Sequence, residues 1–241
     1  MPLLKELYYE IVEEIDKQFE RLGLSPEILK TIAADHGLSH IAYLAVNVPT
    51  LTEDRPYGAH TYDPEWEIRY VSEKYIQIDP VVRYGLSGLL PLDWRSVRNE
   101  NKRVARFFAE AGEFGVGLQG LSFPIRGIHG ETALFSLNAH SSDAEWSALK
   151  RQSMRDFQIL AYHFHTLVLE KEGIVFRDVS LTPRETECLK WAAGGKTAWE
   201  TCMILGISEK TVDFFIEQAR VKLYAINKVQ AVAKAIRLNL I

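Results

Sequence analysis

Apolar side chains recur at helical spacing through the first twenty residues, at Leu3, Leu4, Leu7, Tyr8, Ile11, Val12, Ile15 and Phe19, with acidic residues between them. This pattern predicts an amphipathic first helix. A second helix is expected from about Pro26 to Ala34. The run His40–Val48, HIAYLAVNV, is apolar and β-prone and is followed by a turn at Pro49, so it predicts a strand. Residues 64–84 read as helical and aromatic-rich, broken at Asp79-Pro80. Two more strands are expected at Leu118–Ile125 and Thr132–Asn138, and Gly127 and Gly130 between them suit a hairpin. Residues 143–170 predict one long helix, with apolar positions at Trp146, Leu149, Met154, Phe157, Leu160, Ala161, Phe164 and Leu167. Strands interleaved with helices indicate an α/β domain, an α-β-α sandwich, and not a bundle.

Helical periodicity stops between Lys171 and Ser180 and then resumes in a different form. Thr182-Pro183-Arg184-Glu185 is a capping box with proline at the first helical position, and Thr197-Ala198-Trp199-Glu200 is a second box. Ser208 can cap a third helix. Leu205-Gly206-Ile207 is a tight turn whose glycine suits a left-handed helix end. Two capped helices across a short glycine turn make a helix-turn-helix. The expected organisation is therefore a domain over 1–170, a linker over 171–178 and a small all-α helix-turn-helix domain over 179–241.

In the third of these helices Val212, Ile216, Ala219 and Leu223 share one face, which predicts inward packing. Lys210, Asp213, Phe214, Glu217, Gln218 and Val221 are left facing outward, where such a helix meets the major groove. Lys196, Thr197, Thr211, Arg220 and Lys222 are placed to meet phosphates, contacts that fix position and not sequence. On spacing alone a plain helical packing unit with solvated charges stays open.

Charge supports a division of labour. The formal net charge is −4, yet after Phe176 ten Lys/Arg stand against seven Asp/Glu, which makes that segment +3 and the remainder −7. Opposite signs suggest different partners for the two parts, although +3 is small for a DNA-binding module. Cys188 and Cys202 are the only cysteines and have neither zinc-site spacing nor a disulfide framework. No apolar run approaches the ~20 residues of a membrane helix. The acidic, amphipathic N-terminus lacks the features of a signal peptide. A cytoplasmic protein is expected, with no membrane partner, no metal and no cofactor.

Tyr62, Trp66 and Tyr70 are spaced by four and stack on one predicted helix face. Asp79 follows in an otherwise apolar stretch, where an unsatisfied carboxylate is costly. Trp94 ends the Gly/Pro-rich segment GLSGLLPLDW. One acid and indole donors among aromatic rings would suit a mostly apolar ligand carrying an amide and a carbonyl; a satisfied structural cluster fits the same residues. An enzyme is not indicated. The seven histidines sit in no motif, His163 and His165 face different ways on their helix, and no P-loop, nucleophile elbow or metal spacing occurs. A phosphorylated receiver domain is not indicated either, because HIAYLAVNV does not end in paired acids.

The segment LTPRETECLKWAAGGKTAWETCMILGISEKTV, followed by KL and NKVQAVAKAI, resembles the LuxR-type DNA-binding domain, with Glu185, Leu189 and Gly195 at its most characteristic positions. The succession Tyr62, Trp66, Tyr70, Asp79-Pro80, Trp94, then Gly120 before Ser122-Phe123-Pro124-Ile125, resembles the autoinducer-binding domain of LuxR-family quorum-sensing receptors. The resemblance implies an N-acyl-homoserine lactone as ligand and double-stranded DNA as the second partner. It places Trp66 as donor to the lactone carbonyl, Asp79 as acceptor from the ligand amide, Tyr62 and Ser136 on the acyl amide carbonyl, and Tyr70 and Trp94 as walls. Ala42, Tyr43, Leu44, Tyr57, Tyr75, Ile78, Val81, Val82, Phe107 and Leu134 are candidates for the acyl tail. Several are bulky, which favours a short, branched or aryl group over a long chain. A homodimer reading a pseudo-palindromic site is expected, with helix 143–170 as one interface and Val232, Ala235 and Ile236 of the last helix as another. A ligand-independent regulator that keeps the pocket as core is the alternative.

Two departures bear on the outcome. Between Phe114 and Gly120 the chain is one residue longer than the usual pattern, and the Ser136 assignment depends on hairpin register. After Thr211-Val212 the family often has a basic or polar residue and then a histidine two places on; here they are Asp213 and Phe215. Asp213 and Glu217 put two carboxylates on the groove face. They predict an unusual operator or weak affinity unless they pair with Lys210 and Arg220.

Overall fold

The computed structural model describes residues 2–23, 25–46, 56–127, 131–171 and 179–241, with side chains from residue 9 onward. The expected turn at Pro49, the hairpin glycine Gly130 and most of the expected linker lie outside the described residues. The described chain up to Lys171 forms one compact unit and that from Val179 another.

The first unit opens with α1 (Pro2–Leu22) and α2 (Pro26–Asp35), followed by β1 (His40–Val46) and β2 (Tyr57–His60). Helix α3 (Pro64–Ser72), a 3₁₀ turn at Tyr75–Gln77 and α4 (Pro80–Ser87) occupy the stretch read as one broken helix. Then come β3 (Leu92–Asp93), α5 (Lys102–Glu113), β4 (Gln119–Arg126), β5 (Thr132–Ala139) and α6 (Asp143–Lys171). The breaks are chemical. The Asp63 carboxylate accepts from the Glu65 N–H at 2.8 Å and starts α3, with Pro64 at its first position. Lys74 then takes a left-handed φ of 55°, which ends the helical path before Asp79 starts α4.

Helix α5 is absent from the sequence expectation. Asn101 caps it, accepting from the Arg103 and Val104 N–H groups at 3.0 Å, and Val104, Phe107, Phe108 and Ala111 bury one face at helical spacing. Both signals are in the sequence, masked by the basic run around them. Strands β2 and β3 are also unexpected; at four and two residues they carry too few side chains to show a period.

The strands form one antiparallel sheet in the order β2-β1-β5-β4-β3. Both faces are covered. Tyr43 and Phe135 meet Phe164 of α6, with ring centroids 5.3 and 5.7 Å apart. Leu134, next to Phe135 and so on the opposite face, joins Trp66, Tyr75, Trp94, Phe107 and Phe108. Double coverage is why β4 and β5 are buried nearly throughout and show no polar alternation.

The second unit holds α7 (Pro183–Ala193), α8 (Ala198–Leu205), α9 (Glu209–Lys222) and α10 (Lys228–Arg237). Both capping boxes are closed, Ser208 caps α9, and Gly206 takes the left-handed end of α8 at φ 66°. Leu189, Ala219, Leu223, Ala231 and Ala235 make its core.

Candidate functional site

A cavity of about 230 Å³ lies between the sheet and helices α3–α5 of the first unit. Tyr62, Trp66, Tyr70, Asp79, Trp94 and Ser136 all line it. Helix α3 presents Trp66 and Tyr70 one turn apart, with ring centroids 5.9 Å apart and edge to face. Tyr62 precedes that helix, and its phenol is pushed above the ordinary value by burial and by the nearby Asp79 charge. The hairpin register is fixed: Gly120 faces Asn138, Ser122 faces Ser136, and Ser136 in turn faces Ala42 on β1. Ser136 therefore points with Ala42 and Leu134 into the cavity. Of the candidate tail residues, Ala42, Tyr43, Leu44, Val81, Val82, Phe107 and Leu134 line it; Tyr57, Tyr75 and Ile78 do not. Gly58, His60, Glu67, Ile76, Phe108, Ala111 and Val116 line it as well. Most of these belong to β2 and α5, the elements that the hydrophobic pattern hides.

Asp79 is the chemical centre. It is buried, and its Oδ1 accepts from the Val81 and Val82 N–H groups at 2.8 and 3.4 Å, capping α4. Its Oδ2 accepts from the Tyr70 hydroxyl at 2.9 Å. Burial raises the carboxyl pKa, while the Tyr70 hydroxyl and the two amides pull it down and only partly offset the burial. Tyr70 responds in kind: burial and the Asp79 charge raise its phenol, so it stays a donor. An ionised carboxylate has about four acceptor sites, so three bonds leave room for one more donor. The Trp66 indole N–H has no hydrogen-bond partner among the described residues, although Trp66 is only 3% exposed. Asp79, with an acceptor site left over, and Trp66 thus line the same cavity.

The far wall is tied down by polar contacts that the sequence reading missed. Trp94 Nε1–H donates to Ser122 Oγ at 2.9 Å, and Ser122 Oγ lies 2.7 Å from Ser136 Oγ. A Cβ on Gly120 would sit 2.1 Å from the Trp94 ring, so only glycine lets the indole lie flat on β4. Arg69 and the Tyr75 hydroxyl both donate to Glu110, bracing α3 and the 3₁₀ turn against α5.

In the second unit Val212, Ile216, Ala219 and Leu223 are buried, and Lys210, Asp213, Phe214, Glu217, Gln218 and Val221 are exposed. The two carboxylates differ. Glu217 forms a bidentate pair with Arg220 that lowers its pKa, whereas Asp213 forms no ion pair with Lys210. Lys196 is paired with Glu200 at 3.2 Å and Lys222 with Glu185 at 2.8 Å. Thr197 and Thr211 are engaged in caps at the starts of α8 and α9. Lys210 is the one cation of the expected DNA set without an ion pair among the described residues. One expectation needs correcting: Ala235 is fully buried in the core of its own unit, so the free apolar face of α10 is Val229 and Ile236, at 77% and 53% exposure.

An aromatic cavity with placed polar groups, carried on one chain with a helix-turn-helix, defines a ligand-responsive transcriptional regulator. Residues 26–168 match the family described as autoinducer binding domain, and residues 179–235 match bacterial regulatory proteins, luxR family. The chain belongs to the LuxR family of transcriptional regulators. It is 40% identical over 176 residues to the transcriptional activator protein RaiR of Rhizobium etli, covering 71% of this chain and 72% of that one. It is 35% identical over 192 residues to the transcriptional activator protein VanR of Vibrio anguillarum, covering 78% of each. A crystal structure of Escherichia coli SdiA shares the fold, at a TM-score of 0.64 and 20% identity over 97% of this chain and 98% of that one.

Proposed function

We propose that this regulator senses an N-acyl-homoserine lactone and reads promoter DNA as a homodimer. The observation that carries the reading is that Asp79, with an acceptor site left over, and Trp66, whose indole N–H makes no hydrogen bond among the described residues, line one apolar cavity. An acyl-homoserine lactone offers the matching groups, an amide N–H for Asp79 and a lactone carbonyl for Trp66. Tyr62 and Ser136 then bond the acyl amide carbonyl, and Tyr70 and Trp94 close the walls. Among the solved relatives of this fold, CepR2 of Burkholderia cenocepacia is described as N-acylhomoserine lactone dependent; it is 19% identical with a TM-score of 0.54. A volume of about 230 Å³ is below the ~300–1,000 Å³ common for small-molecule sites, which favours a compact acyl group.

The ligand-binding domain spans 1–170, a linker 171–178, and the DNA-binding domain 179–241. Helix α9 enters the major groove with Lys210, Asp213, Phe214, Glu217 and Gln218, while Lys196, Thr197, Thr211, Arg220 and Lys222 meet phosphates. The chain acts by binding and carries out no catalysis. The test is expression of the full chain with homoserine lactones bearing acyl groups of four to twelve carbons or aryl groups. One member is expected to copurify, identified by mass spectrometry, and to raise the melting temperature. If none copurifies or shifts the transition, the ligand assignment fails and a ligand-independent regulator is left.

A further inference from the structure

The polar wall at Trp94, Ser122 and Ser136 has a direction. An indole N–H can only donate, so Trp94 Nε1–H occupies one lone pair of Ser122 Oγ at 2.9 Å. Ser122 is fully buried, and Ser136 Oγ, 2.7 Å away, is the other partner of its hydroxyl among the described residues. Two arrangements are possible between the serines. If Ser136 donated to Ser122, Ser122 would accept twice and its own hydrogen would be buried without an acceptor. Such an orphan costs about 1–3 kcal/mol, against nothing when Ser122 donates. Ser122 therefore donates to Ser136, and the Ser136 hydrogen is left for the cavity that Ser136 lines.

We propose that Ser122 is a positioning residue that makes Ser136 a hydrogen-bond donor to the ligand, so that the site selects a ligand with a strong acceptor at that point. This rests on the lactone reading above, in which the acceptor is the acyl amide carbonyl. The chain of three groups runs from Trp94, just after β3, across β4 to β5, and only its last member touches the cavity with a free hydrogen. Trp94 is thus more than a wall: its N–H fills one lone pair of Ser122 and holds that hydroxyl in place. The order of the two serines is set by Ser122 itself, whose hydrogen has Ser136 as its acceptor.

The test compares a ligand with its weak-acceptor twin, N-butanoyl-L-homoserine lactone against the corresponding thioamide. The thioamide keeps an N–H for Asp79, a stronger donor than that of the amide, so a loss of affinity reports the weaker acceptor. In the full-length wild-type protein the amide is expected to bind about tenfold tighter, the effect of one hydrogen bond of about 1.4 kcal/mol. In Ser122→Ala the preference should fall below about threefold, whatever the substitution does to stability or to absolute affinity. A preference that stays tenfold in Ser122→Ala overturns the proposal. Neutron diffraction from the perdeuterated, ligand-free protein decides it independently. Deuterium on Ser122 directed at Ser136 supports it, and deuterium on Ser136 directed at Ser122 overturns it. If neither probe binds the wild type, the reading of the ligand class is at fault, and the neutron result still decides the direction of the chain.

Discussion

Gly120→Ala adds one methyl group at a point where the fold has no room for it. The new Cβ would lie 2.1 Å from Trp94 Cδ2, 2.2 Å from Cε3 and 2.5 Å from Cε2, where ordinary contact begins at 3.4 Å. The indole must retreat by more than an ångström. It cannot do so freely, because Trp94 is 3% exposed, packs on Phe108 at 6.1 Å between centroids and is held to Ser122 through Nε1. Overpacking costs about 1–3 kcal/mol, and loss of the buried hydrogen bond adds about 0.5–1.5 kcal/mol. The expected loss is therefore about 2–4 kcal/mol, or roughly 5–15 °C in the melting temperature of the ligand-binding unit. Calorimetry of the full chain measures it. The cause is isolated in a Trp94→Ala background. That change is costly by itself, but with the ring gone Gly120→Ala should become nearly neutral, a large coupling in a double-mutant cycle. A neutral Gly120→Ala in the wild type, or an equal cost in both backgrounds, would refute the clash as the reason for this glycine.

Asp79→Asn keeps an oxygen to cap α4 but presents N–H₂ where the ligand amide would donate, so ligand-induced stabilisation should vanish while the free protein still folds; an unchanged ligand response counts against the assignment. Burial raises the Asp79 pKa, so this group adds stability below its unfolded pKa and loses it as pH rises through the folded value. Ligand affinity should run the other way, because the amide needs the ionised acceptor: calorimetric titration should show weaker binding on acidification through that window, and pH-independent affinity would exclude the contact. Glu185→Ala removes a 4% exposed carboxylate that holds the Thr182 N–H and Lys222, each at 2.8 Å, and should cost the DNA-binding unit about 1–3 kcal/mol by chemical denaturation. On DNA, Glu217→Gln should release Arg220 and tighten binding to all sequences alike, whereas Lys210→Ala should lower the salt slope by about 1 in filter-binding or fluorescence titrations. Equal salt slopes for wild type and Lys210→Ala would remove Lys210 from the phosphate set.

The DNA-binding unit was nearly all legible because its helix ends are written as local chemistry. Two capping boxes, a Ser cap and one glycine at a left-handed end each need only a few neighbouring residues. The ligand-binding unit was legible where one face stayed polar, as in α2 and α6, and where glycines marked the hairpin. It failed at α5, where Arg103 and Arg106 interrupt the view of a strongly one-sided helix, and at β2 and β3, which are too short to show a period. The six candidate ligand residues converge on one cavity, but what holds them was invisible. The Ser122–Ser136 pair depends on register, Glu110 is far in sequence from Arg69 and Tyr75, and Ala235 was misread because an alanine on an amphipathic helix looks the same at a seam and in a core.

The cavity also explains how occupancy could matter to the rest of the molecule. Its lining consists of the side chains that should form the core on this face of the sheet: Trp66, Trp94, Phe107, Phe108 and Leu134. A cavity of about 230 Å³ beside such a core leaves these side chains without packing partners on one side. Ligand at a thousand times its dissociation constant contributes about 4 kcal/mol to the native state. Helices α3, α4 and α5 line that space, and the Asp79–Tyr70 bond and the Glu110 brace are among the ties that link them to one another. A ligand that fills the void therefore replaces missing core for three helices at once. Asp79 joins the two, since the carboxylate that would accept the ligand amide is the same group that starts α4.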